Sequence, residues 1–219
     1  MKSLQSLSYH KFNTTSPGFS SELRDSAFQF WKNQWKIGFT RLGIQFDKIN
    51  SDNFLNRTAH LLCQDQQPVG LVLSEKMDIS KPVFRDTSYF NNYPEVVTDY
   101  FNSERFESVT VLTYLTIESE WRHSKTDFPI SDLLFSLATL EFINGDTDCL
   151  LGYIRMDKDV HNSFYRHGLR KIDSDMAYNV PVDYCYTTKE RAHLSSIKEV
   201  NSLAILLSNS NYEKERIPA

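Results

Sequence analysis

The chain has 219 residues, 40% of them hydrophobic and 13% aromatic, with 24 Lys and Arg against 28 Asp and Glu for a net charge of -4. That length and apolar content support one packed core and exclude wholesale disorder, while the acidic balance argues against bulk attraction to nucleic acid or anionic lipid. No apolar run is long enough to span a bilayer, and residues 1–22 lack the apolar centre of a signal peptide, so a cytoplasmic protein without integral membrane association is expected.

Residues 1–20, with Thr14, Thr15, Ser16, Pro17 and Gly18, read as a flexible arm. From Ser21 the stripe Leu23, Ala27, Phe30, Trp31, Trp35 and Phe39 predicts a Ser-capped amphipathic helix. Residues 57–64 and 69–77 flank Gln66, Gln67 and Pro68 as the strands of a hairpin. Residues 81–107 form an aromatic insertion, with a helix over 94–105 opened by Pro94. It serves either as packing or as one wall of a hydrophobic tunnel. Residues 109–118 alternate β-branched and apolar side chains and predict the central strand.

Beyond a polar loop, Pro129 opens a helix over 129–142 with Leu133, Leu134, Leu137 and Leu140 on one face and Gly145 past its end. A strand at 149–155, a helix at 158–167 closed by Gly168, and a strand from Leu169 complete a β-α-β-α-β run that favours adjacent parallel strands. A strand over 180–186 follows. Thr187, Thr188, Lys189 and Glu190 have the spacing of a capping box, which predicts a closing helix through Leu194, Val200 and Leu207. Residues 208–219 read as a polar tail, leaving 21–207 as one domain. Cys63, Cys149 and Cys185 each stand in an apolar stretch with no CxxC or Cys/His spacing, as buried thiols do, and no metal is expected.

Two runs carry a resemblance. Tyr114-Leu115-Thr116-Ile117-Glu118-Ser119-Glu120-Trp121-Arg122 followed by the Leu133-Leu134 helix, and Phe164-Tyr165-Arg166-His167-Gly168-Leu169, resemble the GNAT superfamily of acyl-CoA N-acyltransferases. The aromatic insertion and the segment Arg24-Asp25-Ser26-Ala27-Phe28-Gln29-Phe30-Trp31 are similar in layout to the branch holding acyl-homoserine-lactone synthases and long-chain N-acyl amino acid synthases. The resemblance implies an α/β fold: a mixed, mostly antiparallel central sheet with a splayed parallel strand pair, flanked by helices. It also implies acyl transfer from acyl-CoA or the acyl-phosphopantetheine of acyl carrier protein to a small amine such as an amino acid. The family's glycines after the Arg are absent, and His123-Ser124-Lys125-Thr126-Asp127-Phe128 stand in their place. A non-catalytic protein of this fold, binding an acyl or peptide ligand in the cleft, is the alternative.

In such a cleft, Ile117 lies where a backbone N–H meets the thioester carbonyl, and Arg122 holds the position of the family's Arg or Gln. Pro129, Ile130 and Ser131 begin the helix whose amides and dipole favour phosphate, with Asp127 and Asp132 as opposing charges. Tyr165 is the candidate acid for the departing thiolate, or else a half-buried helix aromatic. Glu118, with Glu120 as substitute, is the candidate base, or else a solvated strand-end charge. Arg155, Lys158, Arg166, Arg170 and Lys171 form a basic stretch, either a solvated face or a docking patch for an acidic carrier protein.

Overall fold

The computed structural model of the chain describes residues 6–17, 19–45, 50–87, 89–90, 93–122, 128–157, 160–177 and 179–215. Among them β1 (Leu7–Asn13), β2 (Thr58–Gln64), β3 (Gln67–Asp78), β4 (Ser108–Ile117), β5 (Cys149–Arg155), β6 (Arg170–Ala177) and β7 (Val180–Thr188) build one sheet in the order β1-β2-β3-β4-β5-β7-β6. Every neighbouring pair is antiparallel except β4 with β5. The alternating 109–118 segment is thus the middle strand of a mixed sheet. The β-α-β-α-β run departs from simple adjacency, because β7 returns between β5 and β6 and leaves β6 at the edge.

Period-two alternation gives each strand two faces, and helices cover both. Leu62, Val72, Leu112, Leu150, Ile154 and Cys185 point to one face, beneath α4 (Ile130–Asn144), α5 (Val160–Tyr165) and α6 (Lys198–Glu215). On the other face Phe12, Ala59, Leu61, Cys63, Leu71 and Leu73 pack under α1 (Ser21–Arg41). Farther along that face Met77, Val109, Val111, Cys149, Leu151, Tyr184 and Tyr186 pack under α2 (Pro82–Arg85) and α3 (Glu95–Glu104). Helix α4 is buried almost all round its first ten residues because it lies between the sheet and α6, so its sequence shows a broad apolar surface. All three cysteines are buried free thiols on β2, β5 and β7, and burial raises the pKa of each. Among the described residues no helix is long and apolar enough to cross a membrane.

Three expectations are corrected. The arm over 1–20 contains β1, which pairs with β2 from Leu7↔Gln64 to Asn13↔Thr58. Its buried Leu7, Tyr9 and Phe12 are separated by Ser8, His10 and Lys11, so the strand reads as polar. The capping-box residues Thr187 and Thr188 still belong to β7, and Ala192 N–H donates to Thr188 O in a turn, so α6 starts only at Lys198. Helix α6 then runs through Ser208 to Glu215, where a polar tail was expected.

Candidate active site

Parallel pairing of β4 with β5 runs from Val109↔Cys149 to Leu112↔Gly152 and goes no further, although β4 continues to Ile117 and β5 to Arg155. The strands part at Thr113. At the same point β4 gains a residue against β3, since Leu73 faces Thr113 but Leu71 faces Thr116, and Tyr114 takes a left-handed backbone with φ 55°. Such a bulge bends the strand and increases its twist, turning its end away from β5. A non-glycine residue pays for that conformation, and packing holds it there. The Tyr114 ring lies edge-on to Trp31 and Trp35 at 5.5 and 5.1 Å. Its hydroxyl accepts from Asn53 Nδ2 at 2.8 Å, and Trp35 Nε1 donates to Thr116 Oγ1 at 3.0 Å. The aromatic stripe of α1 is therefore both core and the clamp that keeps β4 bent.

Across the opening, Gly152 ends the paired stretch. A Cβ there would lie 2.3 Å from Phe164 Cε1, so only glycine lets α5 settle this close to the sheet.

Helix α4 begins beside the split. Its N-cap Pro129 provides no side-chain cap, and Ile130 and Ser131 are buried. Ser131 Oγ lies 2.9 Å from Ser163 Oγ on α5. Asp132, fully buried, accepts from Ser163 Oγ at 2.5 Å and from Arg166 Nε and NH2 at 3.0 and 2.8 Å. Burial pushes its carboxyl pKa up, but Arg166 and Ser163 outweigh that and hold it below the ordinary range. Arg166 thereby neutralises the charge expected to repel phosphate at this helix start. Asp127 and the rest of 123–127 lie outside the described residues.

The other sequence-selected residues fall into separate groups. Glu118 and Arg122 meet through Gln34 of α1: Gln34 Nε2 donates to Glu118 Oε2 at 2.7 Å, and Arg122 NH2 donates to Gln34 Oε1 at 2.8 Å. Glu118 Oε1 accepts from the backbone and hydroxyl of Ser119, while Arg122 Nε donates to Ile117 O. Burial, with Arg41 second, lowers the Arg122 pKa. Tyr165, at the end of α5, donates its phenol proton to Asp183 Oδ2 of β7 at 2.6 Å, and burial followed by this bond pushes its pKa up.

The basic stretch does not form one patch. Arg166 is committed to Asp132, Arg155 pairs with Asp157 at 2.6 Å, and Lys171 Nζ lies 3.0 Å from Ser174 Oγ and 3.9 Å from Asp183. Arg170 is exposed on the edge strand β6, and Lys158 lies outside the described residues. Among the described residues no group of three His, Cys, Asp or Glu is placed to hold a metal ion.

Sequence reasoning missed one polar group on the α1 face. Arg57, just before β2, reaches across the sheet so that NH1 donates to Thr113 Oγ1 at 2.7 Å and NH2 lies 3.3 Å from Glu75 Oε2 on β3. Its guanidinium stands 5.4 Å from the Tyr114 ring centre. The signal available was Glu75, a charged residue at the alternating positions of β3 whose neighbours Leu71, Leu73 and Met77 pack into the apolar clusters.

A bent central strand, a parallel partner that leaves it, and a helix N-terminus beside the gap define the α/β fold of the N-acyltransferases, as the GNAT resemblance implies. Solved structures share it. FeeM, an N-acyl amino acid synthase from uncultured soil microbes, aligns with a TM-score of 0.58 at 12% identity over 86% of this chain and 94% of its own. The CoA-dependent acyl-homoserine lactone synthase BjaI, solved with SAM and isopentyl-CoA, gives 0.58 at 8% identity over 97% and 91%. The acyl-homoserine-lactone synthase LasI gives 0.55 at 12% over 84% and 89%. The likeness is one of fold. The sequence matches no protein-family model and no curated protein.

Proposed function

We propose that the protein is an N-acyltransferase that moves an acyl group from a thioester carrier, acyl-CoA or acyl carrier protein, to the nitrogen of a small amine. The observation that carries this reading is the parting of β4 from β5 after Leu112 and Gly152. Where two strands part, backbone N–H and C=O groups lose their ladder partners and become available to a ligand. A thioester carbonyl lying along β4 near Ile117 can accept such an N–H as its oxygen gains charge. The uncapped start of α4 at Pro129, Ile130 and Ser131 faces the carrier's phosphates with the positive end of a helix dipole.

Glu118 and Arg122 then act mainly by tying the end of β4 to α1 through Gln34. Tyr165 is the proposed acid. It must turn from Asp183 to reach the thiolate, since a phenol held by a carboxylate gives up its proton less readily. Arg170 and Lys171 on the edge strand are the proposed remainder of a carrier-protein docking patch.

The test is a thiol-release assay on the purified chain with decanoyl-CoA or decanoyl-acyl carrier protein and a panel of amines, with mass spectrometry of the products. Amine-dependent release of free thiol and an N-acyl product are expected. Donor binding without release for any amine would leave the non-catalytic acyl-binding reading, which the Tyr165–Asp183 bond favours.

A further inference from the structure

Asp183 is a buried carboxylate on β7, the strand that lies between β5 and β6. Its two oxygens are engaged from two sides. Oδ2 accepts the phenol proton of Tyr165 from α5 at 2.6 Å. Oδ1 accepts from Ser174 Oγ at 2.5 Å, on the facing residue of β6, and Ser174 accepts in turn from Lys171 Nζ at 3.0 Å. A neutral side-chain amide in this position could also accept from Tyr165 and Ser174, and it would avoid the cost of burying a charge. What the carboxylate adds is the capacity to take a proton. Tyr165 itself keeps 37% of its surface exposed, and the neighbour of its oxygen on β7 is the weak donor Cys185 Sγ at 4.0 Å. An incoming N–H can therefore reach that oxygen while the phenol proton stays on Asp183.

Alone, Tyr165 is a poor acid for this reaction. A free phenol has a pKa of about 10 and a thiol one of about 8.5, so donation to a departing thiolate runs uphill. Burial and the Asp183 bond raise the Tyr165 pKa and steepen that climb. A carboxylic acid, at about 3.9, donates downhill. We propose that Asp183 is a positioning residue of the acyl transfer that holds Tyr165 and stores its proton, so that the pair passes one proton from the attacking amine to the departing thiolate. The inference rests on the acyl-transfer reading and extends its proton path by one residue.

As the neutral amine forms its C–N bond to the thioester carbonyl, its nitrogen becomes positive and gives one proton to Tyr165 Oη. Tyr165 passes its own proton to Asp183 Oδ2 in the same motion, so no phenolate accumulates. The phenol O–H now points at the substrate and its oxygen accepts from the Asp183 carboxyl. That is the turn from Asp183 that the acid role requires, made by moving protons instead of the ring. As the C–S bond breaks, Tyr165 gives this proton to the thiolate and Asp183 returns the one it stored. The amine has lost one proton, the thiol has gained one, and Tyr165 and Asp183 end as they began. Ser174 occupies Oδ1 throughout, which keeps the stored proton on the oxygen that faces Tyr165.

The test is single-turnover thiol release by the full chain from decanoyl-CoA or decanoyl-acyl carrier protein, with the amine that gives the fastest release, in mixtures of light and heavy water. Two protons move together in the relay, so the wild-type rate is expected to curve with deuterium fraction; a linear dependence overturns the proposal and needs no variant. Asp183→Asn still accepts the phenol's hydrogen bond but cannot store a proton. It should slow release by roughly 10²-fold, leave the donor-induced thermal shift unchanged and make the deuterium dependence linear. A purely structural Asp183 would alter stability and leave the curvature in place, so retained curvature or an unchanged rate overturns the proposal. Tyr165→Phe combined with Asp183→Asn should be no slower than Tyr165→Phe alone, because the two residues act as one path; losses that multiply overturn it. If the wild type releases no thiol with any amine, the acyl-transfer reading fails and the relay with it, whereas release that survives Asp183→Asn sinks the relay alone.

Discussion

Tyr114 shows how one residue positions the cleft. Its φ of 55° is unfavourable for a side chain of its size, yet Trp31, Trp35, Asn53 and Arg57 all hold it in place. Tyr114→Ala should lower stability by about 3–5 kcal/mol, as loss of a large packed aromatic does, and weaken donor binding because the bend in β4 loses its clamp. Urea denaturation and donor titration check both, and full stability would mean the bulge is intrinsic to the strand. Tyr165 makes the opposite case, a residue chosen from its motif whose phenol is engaged by Asp183. As the thiolate's acid, its replacement in Tyr165→Phe should lower turnover by roughly 10²-fold with donor affinity unchanged. Unchanged turnover would make Tyr165 the partner of Asp183 only.

At the scale of elements, α5 and the helix starts depend on close approaches. Gly152 on β5 faces the Phe164 ring, which in turn packs edge-on against Phe135 of α4 at 4.1 Å. Gly152→Ala should cost about 1–3 kcal/mol by overpacking and push α5 away from the sheet. A loss of that size in the urea midpoint, with weaker donor binding, is expected; an unchanged midpoint would mean that Phe164 turns aside freely. The start of α4 is locked similarly, through Asp132 to Ser163, Arg166 and Ser195. These partners come from α5 and from the turn before α6, which is why Arg166 reads in the sequence as a surface charge and serves in the structure as a bolt.

For the molecule as a whole, acid stability depends on a buried histidine. His60 of β2 is enclosed, with Tyr9 Oη 2.8 Å from Nδ1 and Ser74 Oγ 3.0 Å from Nε2. Burial lowers its pKa from 6.5 to about 4, with Glu141 opposing and Lys11 assisting. Between those values the unfolded chain binds a proton that the folded chain refuses, so stability rises with pH from about 4 to 6.5 and is lost as pH falls through that window. The full difference amounts to about 3 kcal/mol at 1.36 kcal/mol per pH unit. His167 is shifted the same way and adds to the slope. Denaturation midpoints at pH 7 and pH 4.5 should show the loss, and His60→Gln should flatten it; an equal slope in that variant would assign the effect elsewhere.

The sequence by itself determined the central strand, the α1 and α4 helices, the β2–β3 hairpin and the buried thiols. In these segments periodicity, proline and capping signals act within a few residues and agree with one another. It also placed Glu118, Arg122 and the start of α4 beside one strand end, because they are close along the chain. The edge strand β1, the insertion of β7 between β5 and β6, the left-handed bulge at Tyr114 and the Arg57–Glu75 pair were decided by tertiary structure alone. A strand of alternating polar residues takes its place from the neighbour it pairs with, and a bulge without glycine exists only where packing opposes its cost. A charge pair between distant segments leaves no local pattern, since nothing within either segment records which partner the fold will bring to it.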